Sequence, residues 1–196
     1  MTRVIAVAVM IACIMTSVSC AKKAESSASL FETVCSADEA LALSKDSETV
    51  VFEGMKCTSG NHVWNDFYQT VSNRKPASVL CAHYYVLDEE HVGKDLYEAE
   101  KDQYPKLFYY LLEYDGNLFT VTTRESTKHE PDYQKTFSYL MHYTGKAPAP
   151  ASFSSYDYYV LVDDNAVTWD DIERGMTGSD LGSVIKYCAV YQNIFD

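Results

Sequence analysis

The chain has 196 residues, of which 47% are hydrophobic and 22% charged, enough for a domain that buries a real core. Its 28 Asp and Glu against 16 Lys and Arg give a net charge of -12. That balance argues against a nucleic-acid partner, whose phosphates need basic groups, and against extended contact with anionic lipid.

In chain order, Met1-Thr2-Arg3 precedes an unbroken apolar run of 12 residues, Val4 to Met15. A bilayer core of about 30 Å needs about 20 helical residues, so the run fits the removable core of an export signal. Ser17-Val18-Ser19-Cys20 follows and resembles a bacterial lipobox, with Ser17 where leucine is usual. The reading assigns residues 1–19 to a signal peptide, lipidation to Cys20, residues 20–31 to a lipid-anchored tether and residues 32–196 to one globular domain. The alternative is cleavage after Ala21 and free secretion.

Ser36-Ala37-Asp38-Glu39 is a capping box and predicts a short helix to about Lys45. Glu48–Glu53 reads as a strand. Asn61 is placed to cap a helix in which Trp64, Phe67, Tyr68 and Val71 share one face, and Asn73-Arg74-Lys75-Pro76 should end it. Ala77–Leu87 reads as a long strand, and Asp88–Gln103 is compatible with helix. Leu107–Tyr114 and Asn117–Thr123 flank Asp115-Gly116, which predicts a type I′ hairpin. Gln134–Tyr143 and Tyr156–Asp163 are further strands, with a linker over Gly145–Ser155. Thr168 should cap a helix carrying Asp170 and Asp171 in its first turn. Trp64-Asn65-Asp66-Phe67 is echoed by Trp169-Asp170-Asp171-Ile172, which places the tail beyond Ser179 beside the sheet. The expected fold class is α+β: an antiparallel β-meander sheet of five or six strands with flanking helices, in a single domain.

Of six cysteines, Cys13 leaves with the leader and Cys20 is the anchor. Cys35, Cys57, Cys81 and Cys188 are an even set in an exported domain and read as two disulfides. Of three connectivities the reading takes Cys35–Cys57 and Cys81–Cys188. No Cys-x-x-Cys spacing favours zinc.

The segments Tyr104-Pro105-Lys106-Leu107, Leu112-Glu113-Tyr114-Asp115-Gly116, Phe137-Ser138-Tyr139-Leu140, Tyr159-Val160-Leu161-Val162-Asp163-Asp164 and Val167-Thr168-Trp169 resemble a family of uncharacterised exported proteins of Gram-positive anaerobic bacteria. The resemblance covers roughly residues 60–190. It implies an exported location and a one-domain fold, and it implies no active site, because no activity, cofactor or catalytic residue is established for that family.

A search for chemistry assigns no catalytic residue, cofactor-binding residue or metal ligand. Gly178-Ser179-Asp180-Leu181-Gly182 differs in spacing from a nucleophile elbow. Cys81 and His83 share a strand face, which a half-buried histidine beside a disulfide explains as well as a catalytic pair does. His62, His83, His91, His129 and His142 are scattered, although His83 and His142 could meet across a sheet. Asp163, Asp164, Asp170, Asp171 and Glu173 form the densest acidic group, and a turn before a capped helix accounts for them without calcium. Sixteen tyrosines, with the pairs Tyr84-Tyr85, Tyr109-Tyr110 and Tyr158-Tyr159, put one ring on each sheet face and could expose an aromatic platform for a sugar, peptide or protein. The favoured function is therefore a non-enzymatic binding or interaction module anchored in the cell envelope. The alternatives are an envelope hydrolase using paired carboxylates and a purely structural envelope component.

Overall fold

Two sheets stacked face to face organise the chain, where one was expected. The computed structural model describes residues 27–90, 92–147, 151–177 and 185–196. The signal sequence, Cys20, His91 and the Gly178–Gly182 segment lie outside the described residues.

The helices are α1 (Ser27–Glu32), α2 (Ala37–Lys45), α3 (Asn61–Ser72), α4 (Lys94–Glu100) and α5 (Trp169–Thr177). The strands are β1 (Val50–Glu53), β2 (Lys56–Ser59), β3 (Ala77–Tyr85), β4 (Lys106–Tyr114), β5 (Phe119–Glu125), β6 (Tyr133–Phe137), β7 (Tyr139–Lys146), β8 (Ser155–Val162) and β9 (Tyr187–Phe195). Six strands form the first sheet in the order β2-β1-β3-β4-β5-β6, and β7-β8-β9 form the second. The meander holds from β3 to β6 and again from β7 to β9. It fails at β1, which pairs with β3 in parallel because α3 carries the chain back to the same side of the sheet.

The single strand expected over Gln134–Tyr143 breaks at Ser138. Residues before it pair with β5, and residues after it pair with β8. Burial changes across the break: Phe137 is buried, whereas Tyr139 is exposed. The tail beyond Ser179 does join a sheet, as β9 beside β8.

Strand alternation sorts the side chains into three apolar clusters. The outer face of the first sheet, with Leu80, Ala82, Leu107 and Tyr109, packs against Leu30 and Phe31 of α1 and Ala37 and Ala40 of α2. The inner face, with Val79, Cys81, Leu112 and Val121, meets α3 through Trp64, Phe67 and Val71, and the second sheet through Tyr159, Leu161, Val190 and Tyr191. The far face of the second sheet, with Tyr158, Val160 and Val162, is covered by Ile172 and Trp169 of α5. Each adjacent tyrosine pair does split between faces, but the second ring is covered rather than displayed. Among the described residues the exposed strand tyrosines are Tyr133 and Tyr139, outside these pairs.

Local signals explain most boundaries. Ser36 caps α2, its hydroxyl accepting from the Glu39 N–H at 3.3 Å. At α5, Thr168 and Asp171 cap each other: the Thr168 hydroxyl and N–H donate to the Asp171 carboxylate at 2.6 and 2.9 Å. At α3 the cap is Gly60 and not Asn61. Gly60 has φ 75°, and a Cβ there would lie 2.1 Å from the Thr49 carbonyl oxygen, so only glycine fits. Asn61 becomes the first helical residue, and its side-chain oxygen accepts from the Tyr191 hydroxyl at 3.2 Å. The β4–β5 turn also differs from expectation. Asp115 donates its N–H to Leu118, so the two-residue loop is Gly116-Asn117. Gly116 has φ 102° and Asn117 is not left-handed, the pattern of type II′ rather than I′.

Residues Ser27–Phe31, expected in the tether, belong to the packed unit, since Leu30 and Phe31 are buried. Arg124 holds them there. This arginine is 1% exposed. Its guanidinium donates to the carbonyls of Phe31 and Lys128, of Thr33 at 2.8 Å and of Glu125 at 3.3 Å, and lies over the rings of Phe31 and Tyr109. Four backbone oxygens from two segments thus converge on one cation. No helix among the described residues is long and apolar enough to cross a membrane.

Candidate functional site

A cleft of about 540 Å³ lies where α3, the β4–β5 hairpin and the start of β7 meet. That volume is within the range of small-ligand sites. Helix α3 supplies Tyr68 and Val71, and Arg74 follows its C-terminus; the hairpin supplies Tyr114, the turn at Gly116 and Phe119; β7 supplies Tyr139, Leu140 and Met141. Each contribution has a local cause. Tyr68 and Val71 follow from helical spacing. Tyr114 and Phe119 are cross-strand partners whose rings stack at 4.4 Å. Tyr139 reaches the cleft because the chain leaves the first sheet at Ser138.

The lining holds no Asp or Glu. The carboxylate of Asp115, beside the turn, accepts from the N–H groups of Leu118 and Asn117 at 2.8 Å each, and these bonds hold its pKa below the usual carboxylate range. Glu53 and Asp171 are also held low, Glu53 chiefly by its bond to Lys45 and Asp171 by its bonds to Thr168.

Beyond Tyr68, the Asp157 carboxylate accepts from His142 Nε2 at 2.7 Å, and the His142 ring stacks on Tyr159 at 4.1 Å. This partly exposed pair is a cross-strand diagonal of β7 and β8, and its partner was not legible from spacing. His83 and His142 do not meet. His83 is in the inner core, stacked on Phe52 at 4.5 Å and tilted against Tyr110 at 4.5 Å. Burial pushes its pKa down to about 3, offset in part by the nearby Val190 carbonyl, with neither ring nitrogen closing a hydrogen bond of good geometry. Val190 is the extra residue of a β-bulge opposite Tyr159 and Val160.

Cys81 and His83 do share a face of β3, but both are sealed in the core. Burial raises the Cys81 thiol, with Cys57 and Cys188 adding to the effect. A neutral thiol beside a neutral imidazole, out of reach of solvent, is not a nucleophile–base pair. All four expected disulfide partners, Cys35, Cys57, Cys81 and Cys188, are free thiols. Cys35 packs with the α1–α2 layer and Cys57 with the inner core, so the first sheet stands between them. Cys81 and Cys188 share the inner core unlinked. The acidic group near α5 is spent on structure: Asp163 pairs with Lys186 at 2.9 Å, Asp164 accepts from the Ala166 N–H at 2.9 Å and Asp171 caps the helix. No cluster that could hold a metal ion occurs among the described residues.

Comparison with family models, curated proteins and solved structures returns no match. The reading of the cleft therefore rests on its own geometry. Tyr68, Tyr114, Tyr139 and Arg74 are its distinctive side chains, and the sequence flagged tyrosine abundance without locating it. One local signal pointed here: an arginine directly after Asn73, at a helix end where glycine is usual.

Proposed function

We propose that this chain is an exported cell-envelope protein, lipid-anchored at Cys20, that works as a binding module through the cleft between α3, the β4–β5 hairpin and β7. The observation that carries this reading is a cleft of small-ligand size, ringed by tyrosines and one arginine and containing no acid, base or nucleophile in catalytic arrangement. A hydrolase using paired carboxylates requires two facing carboxyl groups, and this lining offers neither. Anchoring at Cys20 would leave Lys22 and Lys23 next to the membrane and the folded unit beginning near α1.

Native mass spectrometry of the protein recovered from its own cells tests both parts. The expected spectrum starts at Cys20, carries the mass of acyl chains, and retains a ligand that the Tyr114→Ala/Tyr139→Ala double variant loses. An unacylated start at another residue removes the anchor. Equal ligand retention by the double variant removes the cleft.

A further inference from the structure

Arg74 occupies a backbone conformation that an arginine adopts at a cost. The C-terminus of α3 closes with two bonds, Arg74 N–H to the Val71 carbonyl at 2.8 Å and Lys75 N–H to the Thr70 carbonyl at 3.2 Å. This is a Schellman motif, and its left-handed position is normally glycine. Here it is Arg74, with φ 57°, and no other non-glycine residue among the described residues has positive φ. A Cβ in that region crowds the following carbonyl. A basic group near a helix C-terminus does favour the helix dipole, but Lys75 next door supplies one without the strain. Residues held in sparsely populated backbone regions cluster at ligand sites, and this one lines the cleft.

The electrostatics point the same way. In a chain of net charge -12, the Arg74 side chain makes no ion pair or hydrogen bond among the described residues. The Asp115 carboxylate is occupied by its own turn. Glu113 alternates with Tyr114 and Leu112 along β4 and so belongs to the opposite sheet face. A guanidinium fork left open in an acid-free cleft is suited to a carboxylate, which it holds by two parallel bonds. Tyrosines beside it present flat apolar faces with hydroxyls at their edges. Ser72, Ser138 and Asn117 add polar groups to the wall. A pyranose ring offers the matching surface, an apolar C–H face inside a rim of hydroxyls.

We infer that the cleft binds an acidic saccharide, with Arg74 holding the carboxylate and Tyr114 and Tyr139 holding the sugar face. This rests on the cleft being the binding site, as proposed above. The test presents the mature chain to an array of carboxylate-bearing saccharides (uronate, sialate and muramate types), neutral saccharides of the same length, and acidic peptides. Titration calorimetry then follows the ligands retained. Binding should be confined to the acidic saccharides. Arg74→Gly should weaken it roughly 10- to 100-fold while raising Tm by about 1–3 °C, because the strain is relieved as the charge-assisted bond is lost. Arg74→Lys should bind with intermediate affinity and leave Tm unchanged.

Arg74→Gly with affinity within about twofold of wild type would overturn the inference, as would acidic peptides or neutral saccharides binding equally well, or no saccharide binding at all. The two readings fail separately. If Tyr114→Ala/Tyr139→Ala abolishes retention of a cell-derived ligand and Arg74→Gly does not, the cleft stands and the acidic class falls. If neither variant changes retention, both fall.

Discussion

Replacing Arg124 by alanine should detach α1 from the domain. The guanidinium satisfies carbonyls of Phe31, Thr33, Lys128 and Glu125. Water can reach some of these once the side chain is gone, but the Phe31 oxygen sits against the α1–sheet core, where Leu30 and Phe31 are 0% and 5% exposed. An orphaned buried carbonyl costs about 1–3 kcal/mol, and Nη2 leaves two carbonyls behind, the buried one of Phe31 and the part-buried one of Thr33. Lost stacking over Phe31 and Tyr109 adds about 0.5–1 kcal/mol. The expected loss is about 4 kcal/mol, which for a domain of this size lowers Tm by roughly 8–16 °C. Arg124→Lys keeps the charge but not the fork, and should recover less than half of that. Thermal melting and urea titration give the magnitude, and hydrogen exchange at the α1 amides shows where it acts. The reasoning fails if Arg124→Ala melts within about 2 °C of wild type, or if Arg124→Lys is indistinguishable from it.

Two further outcomes follow from buried groups. The native pKa of His83, depressed to about 3, means that the unfolded chain binds a proton the folded chain refuses between that value and the usual 6.5. Stability should therefore rise with pH across this window and fall on acidification, by about 2 kcal/mol between pH 7 and pH 5. His83→Phe should flatten that slope in urea titrations at successive pH values; an unchanged slope would place the titrating group elsewhere. Alkylation with iodoacetamide at pH 8 should modify Cys35 and Cys57 first and Cys81 last, since Cys81 and Cys188 are 0% and 8% exposed and burial raises both thiols. Cys81 labelling as fast as Cys35 in the folded protein would contradict the sealed core.

What the sequence disclosed depended on the range of the interaction. Helix ends written in a few residues were legible: the Ser36 cap, the Thr168–Asp171 exchange and the stop after Ser72 all occur where local chemistry put them. Signals shared between distant segments were not. A run of β-formers over residues 134–143 looks the same whether it stays in one sheet or passes to another, because the choice depends on which strand waits on each side. Arg124 stands beside a stretch rich in charges, yet two of its four partners are carbonyls 91 and 93 positions away. Cys35 and Cys57 are close in sequence, yet the first sheet stands between them. The cleft was illegible for the same reason: its tyrosines are ordinary strand and helix residues until three elements converge.

The seam between β2 and β9 sets an order of events for the growing polypeptide. Cys57 donates its N–H to the side chain of Asn193, 136 positions away, Ile194 donates to the Met55 carbonyl, and Lys56 pairs with Asp196. Val190 and Tyr191 close the same inner core that Phe52 and Trp64 open. Those early residues have no lasting cover until the last strand has been synthesised. A nascent chain up to residue 180 could build its first sheet and still lack a lid over Trp64. That delay keeps the inner core open, and the chain pliable, until β9 is available to close it.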